Sequence, residues 1–179
     1  MKKRLPFAGL IQNALENLRM RTSRPDALAQ LAVLSVIAGL VTGLVIVSFR
    51  LLIEAVQLLF LPEGTLGNFE GLPIGVRIAL PVAGALLIAL VFSIWAKDHP
   101  TVGVLHVMER LSYNRGHLHL RGLVMQYVGA TLSVISGQSM GREGPSIHLG
   151  AATSSIIGQR LALPDNAIRT LVACGAAAG

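Results

Sequence analysis

The amino-acid sequence predicts an all-α, polytopic membrane protein built partly from broken and re-entrant helices. Three observations carry that expectation. The 179 residues are 53% hydrophobic and 13% charged, with a mean hydropathy of +0.64, which is too apolar for an ordinary soluble domain. The stretches Ala27 to Phe49, Ile78 to Ala96 and Gly122 to Gly141 contain no Lys, Arg, Asp or Glu, and each is long enough to cross roughly 30 Å of hydrocarbon as a helix. Two more apolar segments, Thr101 to Leu111 and Pro145 to Gln159, are too short to span and carry Gly or Pro near their starts, the pattern left by helices that begin inside a membrane protein.

Taken in order, Phe7, Leu10, Ile11, Ala14, Leu15 and Leu18 recur at helical spacing among Lys2, Lys3, Arg4, Arg19 and Arg21. That pattern suits an amphipathic helix over residues 1–24 lying on the cytoplasmic membrane surface. Gln12, Asn13, Glu16 and Asn17 interrupt any signal-peptide core. Arg24-Pro25-Asp26 breaks this helix, and Asp26 can cap the first span. Six basic and two acidic residues precede that span, whereas Glu54, Glu63 and Glu70 follow it, so the N-terminus is expected in the cytoplasm. LPEGTLGNFEGLP reads as an external loop, and Ile78 to Ala96 returns the chain to the side marked by Arg110, Arg115 and Arg121. Thr101 to Leu111 is then either a cytoplasmic helix or a re-entrant half-helix. Gly122 to Gly141 leads outward, Pro145 to Gln159 ends at Arg160 and the turn residues Pro164, Asp165 and Asn166, and a last apolar run starts near Leu171. It stops at Gly179 without a polar cap, so the chain reads as incomplete.

The net charge of +6 does not point to nucleic acid, because the basic residues flank apolar runs instead of forming one face with interleaved aromatics. Cys174, the single cysteine, cannot form an internal disulfide and reads as a small packing residue in LVACGAAAG. Gly39 and Gly43 read as a close-packing pair within one subunit, with a dimer seam as the alternative.

The chemistry concentrates in SGQSMGREGPSIHLG, residues 136–150. A half-helix beginning inside the protein directs its free N–H groups and positive dipole end inward, where a dehydrated anion can be held. Pro145 fits the first helical turn, where its missing N–H costs no intrahelical bond. Gly141 and Gly144 let backbone amides approach an ion closely. A carboxylate within a membrane span costs about 2.5–3.5 kcal/mol or more, which makes Glu143 a functional candidate. Ionised, it can occupy the helix end as a tethered anion; protonated, it loses that attraction and leaves the site to a substrate anion. Arg142 can hold the loop through carbonyls and balance the carboxylate. The same residues also fit a surface helix N-cap at Glu143 with Arg142 as an interfacial anchor.

GREGP, preceded by SGQSM and followed by SIHLGAATSSIIGQ and LVACGAAAG, closely resembles the CLC family of chloride channels and proton/chloride antiporters. The likeness covers nearly the whole chain. It implies the first part of an inverted-repeat anion transporter fold, with residues 25–179 as the N-terminal part of a transmembrane anion-transport domain. It also implies that Glu143 is the gating glutamate, and that Gly141, Arg142, Gly144 and Pro145 complete the anion-binding motif. The family's GSGIP motif falls near Thr101-Val102-Gly103-Val104-Leu105. Gly103 is retained, but Val102 replaces the serine whose hydroxyl helps coordinate chloride, and the proline is absent, which leaves chloride, nitrate and fluoride open as the substrate.

By this resemblance the protein is a multi-pass membrane homodimer, in a plasma or bacterial inner membrane. Its partners are an inorganic anion, protons if it is an antiporter, and lipid, with no cofactor and no nucleic acid. Exchange and passive conduction both stay open, as does an inactive fragment. A phosphate-loop enzyme fits poorly, since no Lys-Ser or Lys-Thr follows the glycines at the required spacing and no strand precedes them. His148 reads as a packed, hydrogen-bonded histidine, with proton relay as its alternative role. His117 and His119 read as solvated loop residues, Ser133, Ser136 and Ser139 as bonded to helix backbone, and Met108, Met125 and Met140 as packing residues.

Overall fold

The structure, a computed structural model, describes residues 28–61, 67–95 and 102–179. The surface helix expected over 1–24 lies outside them. Among the described residues every regular element is helical: α1 (Leu28–Phe60), a 3-10 turn (Phe69–Gly71), α2 (Ile74–Trp95), α3 (Val104–Tyr113), α4 (Leu120–Ile135), α5 (Glu143–Arg160) and α6 (Asp165–Ala177). Two of them, α1 and α2, are long and apolar enough to cross a membrane.

α1 has 33 residues, about 50 Å of helix, and continues well past Phe49, where its charge-free run ends. Arg50 and Glu54 are carried within it. Leu34, Ala38, Thr42, Ile46, Phe49, Ile53 and Gln57 are buried at steps of three and four, a single stripe against the other helices. Val36, Leu40, Leu44 and Leu51 on the remaining faces are exposed, as expected of a helix whose outer surroundings are hydrocarbon instead of water. α2 is still more open: Gly84 is its one buried residue among those described, and a Cβ there would overlap the Ser136 side chain. Pro81 sits inside α2, and Gln138 Nε2 donates to its carbonyl at 3.4 Å.

α5 forms the centre. Pro145, Ser146, an unbroken run from His148 to Ser155, and Gly158 are buried. Its small residues let α6 and α1 lie close, and Ala151 and Ala152 join Leu34, Ala38, Val107, Leu118, Ile168, Leu171 and Val172 in one apolar cluster. A second cluster gathers Phe49, Ile53, Ala130, Val134 and Leu149, with Tyr127 edge-on to Phe49 at a centroid distance of 5.5 Å. Thr42 and Ser154 hydroxyls meet at 3.3 Å between α1 and α5.

The segment between α3 and α4 is fastened to α5 by polar groups. Ser155 Oγ donates to the Gly116 carbonyl at 2.6 Å and accepts from the Leu118 N–H and from Gln159 Nε2, each at 2.8 Å. Gln159 Nε2 also donates to the Leu118 carbonyl at 2.8 Å. Removing a buried hydroxyl that satisfies backbone groups costs about 1–3 kcal/mol. Ser155→Ala should therefore lower the thermal midpoint of the detergent-solubilised protein, and an unchanged midpoint would show that this latch carries no stability.

Several expectations change. α4 has 16 residues, about 24 Å, because Ser136 N–H closes on the Leu132 carbonyl and Gly137, at φ +73, turns the chain before Gly141. Asp165 and Asn166 open α6 instead of forming a turn, and Asp165 lies 3.1 Å from Arg115 and 3.4 Å from His117. Apart from the backbone of their own helix, nothing described lies within 4 Å of a Cβ placed on Gly39 or Gly43, so the sides on which a Cβ would stand meet no other element among the described residues. Met125 is buried, but Met108 and Met140 are exposed, as is Cys174.

Candidate functional site

Gly103 is the N-cap of α3, at φ +98 and without a side chain to cap the helix. A residue with a Cβ is strained in that conformation, so the chain enters α3 there with its first N–H groups open. α5 likewise starts without a side-chain cap from Arg142. Its first intrahelical bond from this end runs from Ser146 N–H to the Arg142 carbonyl, which leaves the preceding amides free; Pro145 has none to satisfy.

These two helix starts open on the same cavity of about 400 Å³, lined by Val102, Gly103 and Val104 from one side and Gly144 and Pro145 from the other. α2 supplies Ile88 and Phe92, α4 supplies Met125, Gln126, Gly129, Ala130 and Ser133, and the following turn supplies Gln138 and Met140. Two positive helix ends facing one hollow make a setting for negative charge. A separate cavity of about 180 Å³ between α1, α2 and α4, lined by Leu61, Leu72, Leu87 and Leu132 among others, is mainly apolar and is reached by the start of neither α3 nor α5.

Of the residues expected at the anion site, Val102, Gly103, Gly144 and Pro145 come together in the cavity wall. Gly141, Arg142 and Glu143 are outside that lining. Glu143 is the first residue of α5 and is exposed, as is Gly141. Arg142 approaches a carboxylate from another helix: its Nη1 is 4.0 Å from Glu54 Oε1 on α1. Arg142 thereby couples the GREGP turn to α1, a partner that the local sequence does not reveal.

His148 is 1% exposed, and neither ring nitrogen has a hydrogen-bond partner among the described residues. It stacks on His106 of α3 with centroids 6.1 Å apart, so it is packed as expected but not hydrogen-bonded. Ser136 donates to the Ser133 carbonyl at 3.0 Å. Ser133 instead donates to Gln138 Oε1 at 2.8 Å. Gln126 and Gln138 carry no charge, and the one sequence signal that marks them is an uncharged amide inside an otherwise apolar run. No group of three or more His, Cys, Asp or Glu able to hold a metal occurs among the described residues.

Comparison with known proteins places this geometry in context. The family model for the voltage gated chloride channel matches residues 83–179, more than half of the chain. A putative chloride channel protein, ClcB-like, from Ralstonia nicotianae is 36% identical over 152 residues, 80% of this chain and 35% of the relative. The voltage-gated ClC-type chloride channel ClcB of Yersinia pseudotuberculosis is 30% identical over 154 residues, 82% of this chain and 36% of the relative. The chloride channel protein CLC-d of Arabidopsis thaliana is 36% identical over 77 residues, 36% of this chain and 10% of the relative. The chain thus spans about a third of the length of the two bacterial relatives. No solved structure matches it.

Proposed function

Because the chain belongs to the voltage gated chloride channel family, we propose that it is the part of a membrane anion transporter that carries one wall of the anion pathway. The observation behind this reading is the convergence of the uncapped starts of α3 and α5 on one cavity. Backbone N–H groups of Gly103, Val104 and Gly144 are the donors for the anion, with Val102 contributing only its main chain. Gly141 and Pro145 shape the approach, and Arg142, held near Glu54, steadies the turn.

Glu143 is the gate in this reading. It stands at the head of α5, where its carboxylate competes with the substrate for the same helix end, and proton uptake frees the site. Coupling to proton antiport follows if each vacated site takes up an anion; passive conduction follows if the carboxylate swings without a fixed stoichiometry. Residues 25–179 form the N-terminal part of the transport domain, and two copies of the complete protein form the dimer, each with its own pathway. Transport requires no cofactor.

Val102 favours a second reading of the substrate, since a valine withholds the hydroxyl that a serine would give to chloride. The intact protein in liposomes should release chloride, nitrate or fluoride faster than protein-free vesicles, and the ranking of the three identifies the substrate. Release of none of them above the protein-free rate would end the transport reading.

A further inference from the structure

The cavity contains one polar side chain that the preceding reading leaves unused. Gln126 lies on α4 and is 6% exposed, lines the cavity with Val102, Gly103 and Gly144, and its Oε1 has no hydrogen-bond partner among the described residues. The other polar wall residues are engaged in the turn after α4: Ser133 donates to Gln138 at 2.8 Å, and Gln138 donates to the Pro81 carbonyl. A buried carboxamide with an unmet oxygen calls for a partner, and the cavity of about 400 Å³ has room for waters or for an anion with part of its hydration shell.

We propose that Gln126 is the side-chain ligand of the anion cavity and the residue that sets its selectivity, an inference that rests on the anion-site reading above. With no ion bound, Oε1 is turned away from accessible space and is unmet. When a monovalent anion enters, the carboxamide turns about its soft terminal torsion and presents the Nε2 hydrogens, which are donors. Gln126 thereby supplies from α4 the side-chain donor that Val102 does not supply from the start of α3. A neutral amide suits transport, because an anion must be held firmly enough to shed water and loosely enough to leave. Donor count matters most for small, strongly hydrated anions, which surrender the most water, and least for larger, weakly hydrated ones. Gln126 thus favours chloride and fluoride over nitrate.

The test uses the intact protein, with chloride and nitrate binding measured by calorimetry in detergent and efflux of both ions measured in liposomes. Gln126→Met keeps the length of the side chain and removes its donors. Chloride affinity should fall about ten- to hundredfold, the worth of a hydrogen bond to a charged partner, while nitrate affinity falls less, so the chloride-to-nitrate ratio drops. Both ions are read in one preparation, so a loss of folded protein cannot imitate a changed ratio. If Gln126→Met yields no folded protein, Gln126→Asn, which withdraws the amide by one methylene, should lower the ratio in the same direction. Native chloride affinity and a native ratio in the variant that folds would overturn the role of Gln126, and the anion site would still stand if Glu143→Gln altered the pH dependence of flux. Native behaviour in both Gln126 and Glu143 variants would remove the site reading and this inference together.

Discussion

Glu143→Gln in the intact protein should flatten the pH dependence of anion flux and raise anion occupancy at neutral and alkaline pH. The carboxylate is the first side chain of α5 and is exposed, where a negative charge gains about 0.3–1 kcal/mol from the helix end. An entering anion must displace that charge, so removing it raises anion affinity by up to about fivefold. Glutamine has nearly the same shape and cannot ionise, so the change reports charge and proton together and leaves packing alone. Glu143→Ala should also lose the pH response while leaving the helix start open. The measurement is efflux from liposomes across a pH series, with anion affinity taken at each end of it. A Glu143→Gln profile superimposable on the native one at every pH would remove Glu143 from the gate.

The parts of this site that sequence reading reached are those governed by local backbone chemistry. Gly103 and Gly144 are recognisable because a helix that starts without a side-chain cap leaves amides open wherever it lies. The convergence of the two starts is a tertiary fact, fixed by how α3 and α5 pack; two short apolar segments with Gly near their starts mark helices that begin inside the protein, but not that they face one cavity. Gln126 shows the limit most clearly. Whether a residue of α4 faces the cavity depends on the rotation of that helix against α2 and α5, which a neutral amide in an apolar run does not reveal.

Helix length is set by backbone hydrogen bonding, which the run of apolar side chains reports only indirectly. The charge-free run ends at Phe49, yet hydrogen bonding along a helix does not require apolar side chains, and α1 continues through Arg50 and Glu54 to Phe60. The Arg142–Glu54 approach follows from that continuation and is invisible if the helix is ended at Phe49. Gly39 and Gly43 stand one turn apart on a single helix, whereas a backbone-to-backbone approach in the structure joins Gly150 of α5 to Gly175 of α6. A contact between two helices leaves no fixed spacing along the chain.

That approach makes Gly175 the position where a small change should do the most structural damage. A Cβ on Gly175 would collide with the Ser154 side chain and with the carbonyl oxygen of Gly150, and a Cβ on Gly150 would collide with the carbonyl oxygen of Gly175. Backbone conflicts cannot be relieved by a new rotamer, so α5 and α6 must separate, which opens the cluster around Ala151, Leu171 and Val172 and disturbs the Thr42–Ser154 contact. Overpacking in a tight core costs about 1–3 kcal/mol and more when the backbone shifts. Gly175→Val should exceed the upper end of that range and reduce the folded, monodisperse fraction of the intact protein on size exclusion, with a lowered thermal midpoint in whatever remains. Gly43→Ala, whose new methyl meets nothing described within 4 Å apart from the backbone of its own helix, should leave both readouts near native, since alanine is the better helix former by about 1 kcal/mol. Equal tolerance of the two substitutions would mean that α5 and α6 do not pack backbone to backbone, and the position of the α5 start against the cavity would have to be reassigned.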